Sequence, residues 1–164
     1  MSRTNLVCST YLFKYDPGVT SHNEEDLGLV DALAQLSFLV QGALAEIAGR
    51  HDLSIVQVRL LGVLRDRTPT MNALGRHLGL DKSSISGLVD RAQRRGLVTR
   101  SVSASDRRVF QVAITDTGRR LAEEVAAEFA DRVETSVAPL PEADREALTR
   151  LASRIVAVNG GLDV

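Results

Sequence analysis

Between Arg76 and Arg108 the chain carries eight basic side chains (Arg76, Lys82, Arg91, Arg94, Arg95, Arg100, Arg107 and Arg108) against three acids, Asp81, Asp90 and Asp106. The flanks have the opposite sign. Residues 1–75 hold six basic residues against eight acidic ones, and residues 109–164 hold six against ten. A net charge of −1 over 164 residues therefore conceals one compact cationic segment, the form that an electrostatic footprint for phosphate takes in a sequence. On charge alone a solvated face accounts for it equally well, so the residue types and their spacing have to decide.

Placed at 100° per residue, Lys82 to Arg95 forms a helix with Ile85, Leu88, Val89 and Ala92 on one side. Ser83, Gly87, Asp90 and Arg94 fall on the other, flanked by Ser84, Ser86 and Arg91. The outward face is thus small and hydroxylated at its start and cationic at its end. A helix that enters the major groove by its N-terminus needs short side chains there, and its dipole favours phosphate. Serine hydroxyls can donate to or accept from base edges and phosphates. Lys82, Ser83, Ser84, Ser86 and Gly87 are therefore expected at the groove, with Arg91 and Arg94 on phosphates and Arg95 stabilising the helix C-terminus. Gly87 costs a helix about 1 kcal/mol relative to Ala, which fits either a close backbone approach or a neutral glycine on an exposed face. Further on, Asp106-Arg107-Arg108 sits in a polar stretch between two alternating runs. A loop arginine gains from the negative potential of a narrow minor groove, and an aspartate two residues earlier can hold its guanidinium. Arg108 is the groove reader on this spacing, Asp106 its positioner and Arg107 a phosphate contact.

Other chemistries find little support. His22, His51 and His77 are scattered, with no Cys/His spacing for zinc, and no phosphate-binding glycine loop, nucleophile elbow or paired-carboxylate motif occurs. The reading is of a non-enzyme without metal or cofactor. The single Cys8 cannot form an internal bridge and suits a reducing compartment. No run of 18 apolar residues exists, and Leu6 to Phe13 makes a poor signal peptide, so a cytoplasmic chain with no membrane span is expected.

The elements that must position these residues follow from periodicity and punctuation. Residues 1–23 contain Pro17, Gly18 and Ser21 and read as an arm. From Glu24 to Gly49, Leu29, Leu33, Leu36, Val40, Leu44 and Ile47 recur every three or four residues, a long amphipathic helix closed by Gly49. Ser54 opens a second helix with the capping box Ser54-x-x-Gln57, and Val58, Leu61 and Leu64 share its face. Thr70 caps a short helix bearing Met71, Leu74 and Leu78, Gly79 turns the chain, and Asp81 caps the cationic helix, which Gly96 stops. Leu97–Val102 and Val109–Ile114 alternate like strands of a hairpin. Thr115 caps a helix with Leu121, Val125, Phe129 and Val133 in a row; beyond Pro139 and Pro141 a last helix carries Leu148, Leu151, Ile155 and Val158. The fold expected is mainly α with a small β-hairpin wing: a winged helix-turn-helix lobe at 51–115, flanked by dimerisation helices at 24–50 and 116–160. Their apolar stripes exceed what one small lobe can cover, and a second subunit is the economical cover.

The motifs Leu74-Gly75-Arg76-His77-Leu78-Gly79-Leu80-Asp81-Lys82-Ser83-Ser84, Val89-Asp90-Arg91, Arg95-Gly96-Leu97-Val98, Asp106-Arg107-Arg108 and Ile114-Thr115 resemble those of the MarR family of bacterial regulators. The likeness spans most of residues 24–158 and is sharpest from 72 to 118. It implies a dimer joined by N- and C-terminal helices, binding palindromic operators in duplex DNA, usually as a repressor, and often released by a small aromatic or phenolic effector. Two departures bear on which operator is read: Gly87 stands where an arginine is common, and Ala92-Gln93 replace a usual Leu-Glu pair. Oxidant-sensing members carry a cysteine at the start of the first helix, whereas Cys8 lies well ahead of it. Family geometry puts an effector pocket where the first two helices meet the last ones, mainly aliphatic here, with Arg50, His51 and Arg59 as polar anchors. The rival reading, a winged helix used only to bind proteins, would leave Arg91, Arg94 and Arg108 without a purpose.

Overall fold

A computed structural model describes residues 27–102 and 110–158. Six helices and one hairpin follow in order among them: α1 (Leu29–Arg50), α2 (Ile55–Leu64), α3 (Met71–Leu78), α4 (Lys82–Arg94), β1 (Val98–Val102), β2 (Phe110–Ile114), α5 (Asp116–Val137) and α6 (Glu142–Val158). The chain divides into two compact units at Gln41/Gly42.

In the first unit the described residues are the start of α1 and the two before it. None of residues 27–41 is buried, and Leu29, Val30, Leu33, Leu36, Phe38 and Leu39 are exposed. In the second unit α1 changes character: Ala43, Ile47 and Ala48 are buried. One apolar stripe thus begins bare and ends in a core. By length and composition α1 could cross a membrane, the one described helix that could; its last turns instead pack inside the lobe. The helix runs through Gly49 to Arg50, and the left-handed residue beyond it is Asp52 (φ +56°), not a glycine. Aspartate tolerates that conformation better than most side chains, and the Leu53 N–H closes the turn on the Ala48 carbonyl at 2.8 Å.

Local signals account for the lobe's remaining boundaries. The capping box at Ser54 is complete, with its hydroxyl accepting from the Gln57 N–H and the Gln57 side chain accepting from the Ser54 N–H. Thr70, Asp81 and Thr115 cap α3, α4 and α5. Gly79 (φ +65°) ends α3 in the left-handed region that glycine adopts at no steric cost. Leu60, Leu61, Leu64, Leu74, Leu78, Ile85, Leu88, Val89, Val98, Val112 and Val125 form one core with Ile47. The buried face of α2 includes Leu60, so it is wider than the Val58, Leu61, Leu64 stripe.

β1 and β2 pair antiparallel from Val98↔Ile114 to Val102↔Phe110. On its other edge β2 meets the α2–α3 connection, where Thr70 bridges Gln111 and the Val112 N–H donates to the Pro69 carbonyl at 3.0 Å. Pro69, which has no N–H to offer, serves as an acceptor that fastens the wing to the helix-turn-helix. Val112 is buried, Ile114 is half-buried and Phe110 is exposed, so the expected common face is covered only toward the base of the hairpin. In α6 no residue is buried, and Leu148, Leu151, Ile155 and Val158 are all exposed.

Candidate nucleic-acid interface

The site begins at the first turn of α4. Asp81 Oδ1 accepts from the Ser83 N–H (2.8 Å), the Ser84 N–H (2.8 Å) and the Ser83 hydroxyl (2.6 Å), while Oδ2 accepts from the Ser84 hydroxyl (2.8 Å). Hydrogen bonding from Ser83 above all, and then from Ser84, holds this carboxyl far below the usual carboxylate range. Both hydroxyl protons are thereby engaged. Ser83 and Ser84 can present lone pairs to an incoming donor, but offering a proton to a phosphate or base requires leaving Asp81.

A folded-state pKa depressed in this way stabilises the fold above the unfolded carboxyl pKa of about 4, and the contribution is lost as pH falls toward the folded value. Asp81→Ala is accordingly expected to lower the melting temperature at pH 7, with the gap to wild type shrinking below about pH 4. Thermal melts of the two chains across pH check this; a gap that persists undiminished at low pH would show that the carboxylate is not its source.

Along α4, Ile85, Leu88, Val89 and Ala92 are buried. Lys82, Ser83, Ser84, Asp90, Arg91 and Arg94 are exposed, and Ser86 and Gly87 are half-buried. The helix therefore lies with the orientation its spacing predicts. Gly87 makes room for a neighbour on its own helix: a Cβ built there would lie 3.3 Å from Nη1 of Arg91. Ser86 faces a cleft of about 730 Å³ with Met71, Asn72, Arg100 and Phe110. Ser83, Ser84, Gly87 and Arg91 line a second groove, of about 390 Å³, with Ser54 and Val56.

Charge on this face is sorted by pairing. Asp90 would repel phosphate, but its Oδ1 lies 2.7 Å from Nη2 of Arg100, which also donates to the Ser86 carbonyl at 3.2 Å. Arg100 thus ties wing strand β1 to α4 and neutralises the acid in one contact. In the sequence Arg100 is only one more member of the basic segment, since nothing local links a strand residue to a helix ten residues upstream. Arg95 also contacts protein: its guanidinium donates to the His51 and Asp52 carbonyls at the α1–α2 corner. Instead of stabilising the end of its own helix, it braces that corner. Lys82, Arg91 and Arg94 have no ion-pair or hydrogen-bond partner among the described residues. They are the cations left for an external anion.

Asp106, Arg107 and Arg108 lie outside the described residues, as do Cys8, His22 and the expected arm at 1–23. The stem that would present the arginines, Val102 paired with Phe110, is described.

The three expected effector anchors are not brought together. Nη2 of Arg50 and Nε2 of His51 both bind Glu128 of α5, at 3.1 and 2.7 Å. Arg59 lines a different cleft, with Val63 and His77. Where α1, α2 and α5 meet within the second unit there is a small apolar cavity of about 240 Å³, walled by Leu44, Leu53, Leu61, Val125 and Phe129, with Arg65 at its edge. An aliphatic pocket with an arginine is what composition suggests, and this cavity has that character without Arg50, His51 or Arg59 in its lining. Arg50 and His51 instead share Glu128, a contact between residues 77 or more positions apart that spacing along the chain does not encode.

Residues 51–109 match the model of the MarR family. The HTH-type transcriptional regulator PecS of Dickeya dadantii (strain 3937) is 24% identical over 135 residues, covering 80% of this chain and 81% of PecS. Among solved structures, the complex of Staphylococcus aureus MepR with DNA superposes with a TM-score of 0.65 at 20% identity, covering 81% of this chain and 99% of MepR. CouR of Rhodococcus jostii RHA1, bound to p-coumaroyl-CoA, gives a TM-score of 0.62 at 23% identity, covering 77% of this chain and 89% of CouR. At those identities the structural likenesses show a shared fold, the winged helix-turn-helix.

Proposed function

The chain is a MarR-family winged helix-turn-helix protein, and from that premise we propose that it is a homodimeric regulator of transcription. On this reading it acts in the cytoplasm, binds a palindromic operator in duplex DNA, usually to repress, and is released by a small effector. The observation that carries the reading is the charge sorting on α4. The one outward acid, Asp90, is taken by Arg100, and Lys82, Arg91 and Arg94 stay unpaired on an exposed face with a short-side-chain N-terminus. That MepR has been solved with DNA supports the same use of this fold. The wing arginines Arg107 and Arg108 extend the footprint, and no catalytic role is assigned to any residue.

Phosphate contacts release counterions, so DNA affinity falls linearly on a log–log plot against salt. Arg91→Gln and Arg94→Gln are each expected to lower affinity and to reduce the slope by about one. Unchanged slopes in both variants would mean that α4 does not meet the backbone.

Two features support the remaining parts of the proposal. The exposed apolar rows at Leu29, Leu33 and Leu36 of α1 and at Leu148 and Leu151 of α6 suit burial against a second copy, with 24–50 and 116–160 as the dimerisation segments. Leu151→Asp is expected to weaken the dimer at least about tenfold in sedimentation equilibrium, since a buried unpaired carboxylate costs several kcal/mol. A variant that stays as dimeric as wild type would remove α6 from the interface. The apolar cavity between α1, α2 and α5 suits the flat body of a small aromatic acid, with Arg65 for its carboxylate. CouR, solved with p-coumaroyl-CoA, is a ligand-binding protein of the same fold.

A further inference from the structure

A serine hydroxyl on a DNA-reading surface ordinarily serves as donor or acceptor as the base demands, because its proton rotates to suit. Those of Ser83 and Ser84 are committed. An ionised carboxylate has no proton to give. The serines are therefore the donors in the contacts of Ser83 Oγ with Asp81 Oδ1 (2.6 Å) and of Ser84 Oγ with Asp81 Oδ2 (2.8 Å). Each hydroxyl has one proton, and both protons lie on Asp81. Hydrogen bonds to a charged acceptor are roughly twice as strong as neutral ones, and the Ser83 and Ser84 N–H groups hold the same carboxylate in place at 2.8 Å each. Only lone pairs remain on the two serine oxygens. Both residues are exposed, and both line one groove with Gly87 and Arg91. Ser86 is the contrast: it lines the other cleft, and its hydroxyl has no hydrogen-bond partner among the described residues.

In the major groove the hydrogen-bond donors are the amino groups of adenine (N6) and cytosine (N4), whereas guanine offers O6 and N7 and thymine O4, all acceptors. Phosphate oxygens are acceptors as well. An acceptor-only hydroxyl set against guanine, thymine or phosphate brings lone pair against lone pair, and set against an amino group it completes a hydrogen bond.

We propose that Ser83 and Ser84 are specificity-determining residues that select an amino base, adenine or cytosine, on the strand they face, and that Asp81 imposes the choice by holding their protons. The inference rests on the proposed reading of α4 as the helix that enters the major groove. Each base pair carries one amino group there, on its adenine or its cytosine. The two serines thus separate A·T from T·A and C·G from G·C, without separating adenine from cytosine. Asp81 is the positioning residue, and Ser86 is under no such restriction.

The test starts from the duplex that the wild-type chain selects from a random library. Repeating the selection with Ser83→Ala and Ser84→Ala marks the position each serine reads as the one where preference is lost. Those positions are expected to hold adenine or cytosine on one strand of the wild-type motif. An analogue without the amino group (purine for adenine, 2-pyrimidinone for cytosine) is then placed there. It is expected to weaken wild type about fivefold more than the matching alanine variant, the effect of one hydrogen bond. The variant controls for the lost Watson–Crick contact. Asp81→Asn keeps a good helix cap but replaces one carboxylate oxygen with an amide N–H donor. The hydroxyl facing that donor regains its proton, so guanine or thymine is expected to become acceptable at its position.

Guanine or thymine at the serine positions of the wild-type motif would overturn the proposal. So would one motif shared by wild type and both alanine variants, equal analogue losses in wild type and variant, or an Asp81→Asn motif unchanged from wild type. Each of these leaves α4 as a reader of DNA. No enriched motif at all would overturn the proposal together with the reading it rests on.

Discussion

Gly118→Ala is expected to destabilise the chain by about 3 kcal/mol or more, as overpacking against backbone does. A Cβ at this position would lie 2.1 Å from the Leu97 carbonyl oxygen and 3.0 Å from Cγ1 of Ile114. Neither wall can retreat easily. The Thr115 N–H donates to the same Leu97 oxygen at 3.0 Å, the Thr115 hydroxyl donates to the Gly96 carbonyl at 2.7 Å, and the Gly118 N–H closes the cap on that hydroxyl at 3.0 Å. The first turn of α5 is thus pinned to the corner where α4 gives way to β1, and the clash falls on the junction that sets the wing against the cationic helix α4. Gly62→Ala provides the contrast. Its Cβ would meet nothing within 4 Å at an exposed position of α2, so the same substitution should stabilise by somewhat under 1 kcal/mol. Denaturant unfolding of both variants checks the pair, and opposite signs are the expected result.

Arg108→Ala is expected to weaken operator binding by about 1–3 kcal/mol, roughly five- to 150-fold. The argument is electrostatic. A narrow minor groove concentrates negative potential, and an arginine delivered by a hairpin end gains from it more than a cation in solvent does. On the proposed pairing of Asp106 with Arg108, Asp106→Asn should reproduce part of the loss. Titration of each variant against one operator at fixed salt measures both effects; an unchanged Arg108→Ala affinity would remove the wing from the DNA.

The boundaries around the site were legible because their causes are local. A Ser, Thr or Asp cap is read from the next three residues, and so the caps at Ser54, Thr70, Asp81 and Thr115 stand where the sequence puts them. The buried face of α4 was legible for a similar reason, since four apolar residues at helical spacing leave one orientation. The corner at Asp52 was not, because Gly49 three residues earlier is the commoner helix stop and only the packing of Leu53 moves the turn past it. The pairings of Arg100 with Asp90, Arg95 with the Asp52 carbonyl, and Arg50 and His51 with Glu128 join residues that the fold, not the chain, makes neighbours. Within the basic segment, Arg100 is neutralised by Asp90, and Arg95 keeps its charge but is held against the backbone of the α1–α2 corner. The basic segment 76–108 is therefore a less cationic surface than its eight Lys and Arg suggest, and a more sharply focused one.

Selection from a random duplex library tests the central claim, that α4 and the wing of a dimer read DNA sequence, most directly. The account predicts enrichment of a two-fold palindrome whose half-sites are about 10 bp apart. It also predicts affinity for the selected duplex that falls steeply with salt. Failure to enrich any sequence, with weak binding indifferent to salt, would contradict it and leave the lobe as a protein-binding module with a solvated basic face.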